Sequence, residues 1–361
     1  ESLDWKSRRL IQELNSKWLQ ERKVKAFYSL IEADSLENGV SSLIQTVGVG
    51  KMRPNILLMG FKENWQTCDM KETVDYFDII HQVVYAHMSL CILRVQGGTD
   101  YSSYFETPEG LPIVPILDPK GNLVTSFKPP DLKIPLETVI EETPTDDGVP
   151  LPYIVISSKA DEDFKQMKIA NLFHDRQEKG IIDVWWLYDD GGLTLLLPYL
   201  LTTRAQFKGC KLRVFSVAQD HTNIGEEQRN LSALLQKFRI PFNDLTVVSA
   251  EGEPLHEEST QMFKKTISKF LSKDESQKDP TTVTRALLNT FKNRTNQFLR
   301  LRELLEKHSK SSNMIVMTLP LPRKEGATAP LYMAWLDILT RDLPPFLLVR
   351  GNQTSVLTFY S

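Results

Sequence analysis

Apolar positions along the chain keep changing rhythm, from a helical repeat to short unbroken runs and back. Residues 5–23 carry Trp5, Leu10, Ile11, Leu14, Trp18 and Leu19 at helical spacing. Val24–Ile31 reads as a strand. Ser35 is placed to cap a helix over Leu36–Val47, with Leu36, Val40, Leu43, Ile44 and Val47 on one face. Gly48-Val49-Gly50 stops that helix. Asn55–Phe61 is expected to be a buried strand, Met70–His87 a helix and Met88–Val95 a strand. The plan then repeats. Strands are predicted at Ile181–Tyr188, Lys211–Val217, Leu245–Ser249 and Asn313–Leu319. Between and after them fall an apolar helix to about Phe207 and helices over 222–239, 257–273, 281–309 and Pro330–Arg341, with Pro241 ending the second of these. Strands alternating with helices predict an α/β fold with mostly parallel sheets and right-handed crossovers. The two halves look like a tandem of one unit.

Residues 97–180 break the rhythm. Prolines stand at 112, 115, 119, 129, 130, 135, 144, 150 and 152, among many acids. Proline donates no ladder hydrogen bond, and the apolar content is too low for a core. The stretch reads as a linker, partly disordered, with Leu151–Ser157 as an isolated edge strand and 161–178 as a helix. The expected division is therefore 1–96, 97–180 and 181–361. Ser272–Pro280 is a second polar break. At the C-terminus, Phe346–Val349 is a continuous apolar run, as a doubly buried strand should be. Arg350-Gly351-Asn352-Gln353 is turn chemistry, and Val356–Tyr360 reads as a second strand that ties the terminus into a sheet.

Composition narrows the class. The chain has 361 residues, 41% apolar and 25% charged, with net charge −3. That is a globular balance, and it does not call for nucleic acid or anionic membrane as partner. The longest uncharged run near the middle, Gly191–Thr203, is 13 residues. A spanning helix needs about 20. Cys68, Cys91 and Cys210 form no CxxC pair and read as free thiols of a reducing cytosol. No signal peptide is visible, and the missing initiator methionine predicts a fragment.

Candidate chemistry is sparse. Histidines 81, 87, 174, 221, 256 and 308 show no ligand spacing, so no metal is expected. There is no P-loop, GxGxxG, GxSxG or HExxH, so no enzyme is expected. Asp189 and Asp190 follow a predicted strand at the place where open α/β sheets bind ligands. They suit Mg²⁺ or a ribose, or they cap the next helix while Gly191 and Gly192 permit the turn. Gly48, Gly50 and Lys51 form a loop whose amides a phosphate can approach, or a plain helix stop. Arg294, Arg300, Arg302, Lys307 and Lys310 share one predicted helix with Phe291, Phe298, Leu301, Leu304 and Leu305. Their charges read as a solvated face or a phospholipid or phosphosegment site. The apolar stripe covers the second sheet or pairs two copies of the chain.

Four segments carry a resemblance. They are Asp183-Val184-Trp185-Trp186-Leu187-Tyr188-Asp189-Asp190-Gly191-Gly192-Leu193-Thr194-Leu195-Leu196, residues 17–28 (Lys-Trp-Leu-Gln-Glu-Arg-Lys-Val-Lys-Ala-Phe-Tyr), Gly48–Asn55 (Gly-Val-Gly-Lys-Met-Arg-Pro-Asn), and Leu331–Leu336 with the tail 343–361. Together they closely resemble the cytosolic C-terminal domain of the sodium-coupled cation-chloride cotransporters, the sodium-chloride and sodium-potassium-chloride carriers. Ser216-Val217-Ala218-Gln219 departs from that branch, which carries Gly-Gly there. The resemblance implies two tandem universal-stress-protein-like α/β units, the first lacking its opening strand-helix-strand. It implies a regulatory and dimerising role on the cytoplasmic face of the plasma membrane, in a multi-pass protein that moves Na⁺ and Cl⁻, with or without K⁺. The implied partners are the protein's own transmembrane domain, a second copy, regulatory kinases and a nucleotide. ATP is the implied ligand of the first unit, with Gly48, Gly50 and Lys51 as its candidate contacts. The competing reading is a soluble nucleotide-binding sensor of the same fold.

Overall fold

The computed structural model describes residues 4–21, 23–96, 98, 173, 176–177, 179–218, 224–249, 254–272, 279–321 and 326–357. The predicted linker, its edge strand and its helix lie almost wholly outside them. The chain divides into two compact units, residues 1–30 with 100–165, and residues 31–99 with 166–361. In the first, α1 (Trp5–Glu21) has no buried residue.

The second unit is built on one seven-stranded sheet. Its strands are β1 (Ile56–Gly60), β2 (Ser89–Arg94), β3 (Ile181–Trp185), β4 (Lys211–Ala218), β5 (Asp244–Ser249), β6 (Met314–Thr318) and β7 (Phe346–Arg350). The order is β1-β2-β7-β6-β3-β4-β5. Every pairing is parallel except β2 with β7. The expected parallel α/β architecture is therefore present, and both halves of the sequence contribute to a single sheet. Among the described residues, their strand-to-strand joint is the antiparallel register Leu90↔Arg350 to Arg94↔Phe346.

Nine helices are described: α1, α2 (Leu36–Thr46), α3 (Met70–Tyr85), α4 (Leu193–Thr202), α5 (Ile224–Lys237), α6 (Glu257–Ile267), α7 (Arg285–Thr290), α8 (Lys292–Ser309) and α9 (Ala329–Thr340). The pleat sends alternate residues to opposite faces. Phe346, Leu348, Ile315, Met317 and Trp185 join one cluster with Ile79, Ile80, Phe298 and α9. Leu347, Val349, Met314, Val316, Ile182 and Val184 join another with Leu193, Leu195, Leu231 and Leu235. The middle of the sheet is thus covered on both faces, which is why β6 and β7 are apolar without alternation. All 12 residues of α9 are buried. A helix apolar all round belongs inside a protein.

Capping follows sequence closely. Ser35 Oγ accepts from the Asn38 amide at 3.1 Å, as expected of the α2 cap. Asp183, fully buried in β3, accepts from Arg213 Nε and Nη2, each at 2.7 Å. Arg213 also reaches the His308 carbonyl at 3.0 Å. Burial, with the neighbouring charges of Lys307 and Arg213, lowers the His308 pKa.

Three expectations need correction. Val24–Ile31 is not a strand: it has no ladder partner among the described residues, and Phe27 is 87% exposed. Alternating apolar residues make a strand only where a neighbour supplies hydrogen bonds. In the tail, Val356 and Leu357 are irregular, and 358–361 lie outside the described residues. The helix expected over 281–309 is α7 and α8, broken at Phe291, and its arginines are not a solvated face. Arg300 and Arg302 are buried and paired with Glu303 at 2.9 Å and Glu306 at 2.6 Å. Burial lowers the Arg302 pKa. The helix packs on α6 and α9, so Phe298, Leu299 and Leu305 join the core.

The thiols differ sharply in setting. Cys91 sits in β2 at 3% exposure, and burial, aided by Asp190, pushes its pKa up to about 12. Cys68 and Cys210 are half-buried. Since the thiolate is the reactive form, Ellman's reagent at pH 8 is expected to modify Cys68 and Cys210 in the folded chain and Cys91 only after denaturation. Simultaneous labelling of all three would show that β2 is not held inside the sheet.

Candidate functional site at the carboxyl ends of the sheet

In this sheet β6 and β4 leave from opposite sides of β3, so the carboxyl ends of β3 and β6 flank a switch point, where ligands enter open α/β folds. The segment that leaves β3 there is Trp186–Gly192. Its course is fixed by two left-handed glycines, Gly191 (φ 82°) and Gly192 (φ 84°). Asp189 Oδ1 accepts from the Gly191 amide at 2.9 Å. Asp190 is 2% exposed. Its Oδ2 accepts from the Thr194 hydroxyl at 2.7 Å and amide at 3.3 Å, and from the Gly351 amide at 3.2 Å. Of the two readings of these acids, Mg²⁺ or ribose ligands or caps of the next helix, these contacts are those of the second: both acids lock the turn, and Asp190 stands at the positive end of α4.

The crevice is occupied by the chain's own tail. The Val356 amide donates to the Gly191 carbonyl at 2.9 Å. A Cβ on Gly191 would lie 2.4 Å from the Thr354 carbonyl oxygen, and one on Gly192 2.5 Å from Leu357 Cδ1. A Cβ on Gly351 would lie 1.8 Å from the Asp190 carbonyl oxygen. Two segments that stand out in the sequence are thus the two sides of one contact. Nothing local announces this, because Asp190 and Gly351 are 161 positions apart.

Around the same end, Leu187 donates its amide to Thr318 Oγ1 at 3.2 Å, and the Tyr188 hydroxyl donates to the Leu319 carbonyl. Arg350 lies over the Tyr188 ring, 4.9 Å from its centre. Burial raises the Tyr188 pKa against the pull of Arg350. Arg294 Nη2 donates to the Leu321 carbonyl at 3.5 Å. Arg350 was not singled out by sequence, although its position beside Gly351 in the tail is a usable signal.

Gly48, Gly50 and Lys51 lie elsewhere, in the exposed loop between α2 and β1. Gly48 (φ 84°) is required, since a Cβ would meet Met52 and Arg53 backbone atoms at 2.7 Å. Gly50 opens a three-residue 3-10 turn, Gly50–Met52, and faces open space. The structure does not bring these residues to the switch-point residues.

The description of solute carrier family 12 matches residues 1–113 and 147–361. The chain belongs to that family. It is 39% identical over 398 aligned residues to the bumetanide-sensitive sodium-(potassium)-chloride cotransporter of Manduca sexta, covering 100% of this chain and 37% of the relative. It is 38% identical over 375 residues to solute carrier family 12 member 2 of Homo sapiens, covering 96% of this chain and 30% of the relative. The chain thus spans about a third of the length of the curated relatives it matches. A solved structure, the crystal structure of the cytoplasmic domain of a prokaryotic cation chloride cotransporter, aligns with TM-score 0.43 and 11% identity over 99% of this chain and 86% of that one. The family match includes the Asp189–Gly192 turn, the tail that fills it and the Gly48–Lys51 loop. Among the described residues, no helix is long and apolar enough to cross a membrane.

Proposed function

We propose that this chain is the cytoplasmic regulatory and assembly domain of an electroneutral sodium-coupled chloride cotransporter. The observation that carries the reading is the 39% identity, over an alignment that covers the whole chain, to a relative named as such a carrier. The chain's own architecture supports it. Its crevice is filled by its own tail rather than left open to a substrate, and Asp189 and Asp190 are engaged in the turn. In this reading the transmembrane part of the same protein moves Na⁺ and Cl⁻, and this domain positions and pairs it. A symmetric pair of domains is the economical assembly. The core role of Phe298 and Leu305 turns attention from α8 to the β1 side, where Val49, Met52 and Leu58 are 86%, 66% and 63% exposed.

The test is a chimera. The matching region of a bumetanide-sensitive relative is replaced by this chain and expressed in cells. Bumetanide-sensitive, Na⁺-dependent chloride uptake is expected to return to at least about half that of the intact relative, a loss of no more than 0.4 kcal/mol in the rate-limiting barrier. Uptake no greater than that of the relative lacking the region would overturn the reading. Reconstituted alone in liposomes, the chain is expected to leave chloride flux at the empty-vesicle rate.

A further inference from the structure

The two edges of the sheet are built differently. At the β5 edge, side chains take up the backbone groups of Leu245. Its amide donates to Asp244 Oδ1 at 2.9 Å, and its carbonyl accepts from Gln228 Nε2 at 2.7 Å. The β1 edge has no such guard among the described residues. The Ser89 amide donates to the Asn55 carbonyl at 2.8 Å, and the Phe61 amide to the Leu93 carbonyl at 2.9 Å. The residues just before and just after β1 thus direct their groups at β2. Backbone groups alternate sides along a strand. Leu57 and Met59 therefore bond β2, and Ile56, Leu58 and Gly60 turn their amides and carbonyls outward. Among the described residues no strand lies beyond them. Edges are normally protected by a charge, a proline or a bulge. Ile56–Gly60 is Ile-Leu-Leu-Met-Gly, its register with β2 runs without a skip, and none of its residues is buried. Leu58, at the centre, is 63% exposed.

An exposed apolar edge is a template for a further strand, and β1 is complementary to itself. Two copies laid antiparallel about a twofold axis at Leu58 set Leu58 against Leu58, Ile56 against Gly60 and Leu57 against Met59. Every outward residue of one strand then meets an outward residue of the other, making about six hydrogen bonds. Moving the axis to Leu57 sets Gly60 against Pro54, which has no amide. Moving it to Met59 sets Ile56 against Lys62, beyond the strand. Gly60 has no side chain, which leaves room for Ile56 of the second copy. No charge falls inside the pairing, so none is left unpaired. Past its ends, the same register sets the exposed Arg53 of one copy toward Glu63 of the other. Glu63, already held by Arg94, keeps 39% of its side chain exposed.

We infer that β1 is the seam of a symmetric dimer, in which two copies of the chain join their seven-stranded sheets edge to edge, antiparallel and centred on Leu58. The seam gives a surface to the pairing role proposed above and rests on that reading. Val49 and Met52, exposed just before β1, widen the apolar contact.

Sedimentation equilibrium of the full chain over a dilution series is expected to fit a monomer–dimer equilibrium. Hydrogen exchange above and below the dissociation constant is expected to protect the Ile56, Leu58 and Gly60 amides in the dimer alone. The Leu57 and Met59 amides, bonded to β2, should stay protected in both. Leu58→Lys places like charges directly opposite one another, and the dissociation constant is expected to rise at least about 100-fold. Because Leu58 is exposed in the single chain, this variant should melt with the parent where both are monomeric. Leu58→Glu should behave likewise, and an equimolar mixture of the two variants should dimerise more tightly than either alone. A chain that stays monomeric at every concentration, or that associates without stopping at two, overturns the seam. So does a Leu58→Lys variant that dimerises as the parent does, or a mixture no tighter than its components. Uptake by the chimera does not enter this measurement, so a monomeric chain leaves the regulatory reading standing.

Discussion

Asp337→Ala is expected to cost the domain about 3–5 kcal/mol, the range for breaking a buried ion pair by removing one partner. Asp337 is the one acid in an otherwise apolar buried helix and is 1% exposed. Oδ1 accepts from Arg94 Nη1 at 2.9 Å. Oδ2 accepts from Gln66 Nε2 at 3.0 Å and Trp65 Nε1 at 3.2 Å. Arg341 adds a two-pronged contact from one turn later. Without the carboxylate, Arg94 (side chain 12% exposed) keeps Glu63 and Thr340 but loses its buried counter-charge. The Trp65 indole loses its acceptor while fully enclosed and stacked on Phe270. The cluster also ties residues 61–94 to α9, beside the single antiparallel joint that holds the two halves in one sheet. Urea unfolding should show a lower midpoint at an unchanged slope. Replacing the pair together, Asp337→Leu with Arg94→Met, should recover part of the loss, because no charge is then left unpaired. A midpoint within about 0.5 kcal/mol of the parent would show that the cluster is peripheral to stability.

Much of this architecture is legible locally. The runs Leu90–Ile92, Met314–Thr318 and Phe346–Val349 are apolar without interruption, and each is a strand covered on both faces. Ser35, Asp69 and Thr284 cap the helices they precede. Three kinds of information are not local. One is partnership: Val24–Ile31 has the composition of a strand and, among the described residues, no neighbour to pair with. A second is depth. The spacing of Arg300 and Arg302 defines a helix face, but only the position of α9 decides that this face is buried. The third is long-range closure, seen in Arg94 with Asp337 and in Asp190 with Gly351. Even there the sequence holds a trace, an isolated acid inside Leu331–Leu339 and a glycine just after an apolar strand. The candidate nucleotide loop shows the converse. Gly48 is required by backbone geometry, while Gly50 and Lys51 stand exposed in the same loop, with nothing within 4 Å of a Cβ on Gly50.

Gly351→Ala is expected to dislodge the tail from the β3 turn and destabilise the domain by about 3 kcal/mol. Gly351 is not among the left-handed residues, so the cost comes from contact and not from φ. The added Cβ would stand 1.8 Å from the Asp190 carbonyl oxygen and 3.0 Å from its carbon. Both are backbone atoms, so no side chain can swing aside and one segment must move. Movement breaks the Gly351 amide bond to Asp190 and the Val356 amide bond to Gly191. Each net hydrogen bond contributes about 1 kcal/mol, and overpacking strain of about 1–3 kcal/mol acts against whatever remains. Leu357, 9% exposed against Gly192, would lose its cover as well. At 2–4 °C per kcal/mol for a domain of this size, the melting temperature should fall by roughly 10 °C. Gly50→Ala is the control. Nothing lies within 4 Å of its Cβ, and only its φ of 57° opposes the substitution, at about 1 kcal/mol. Hydrogen exchange locates the effect. In Gly351→Ala the Val356 amide should lose protection while amides of β6 keep theirs, because the joint with β7 survives a local opening of the tail. If Gly351→Ala melts with Gly50→Ala, or Val356 stays as protected as in the parent, the tail does not depend on this contact.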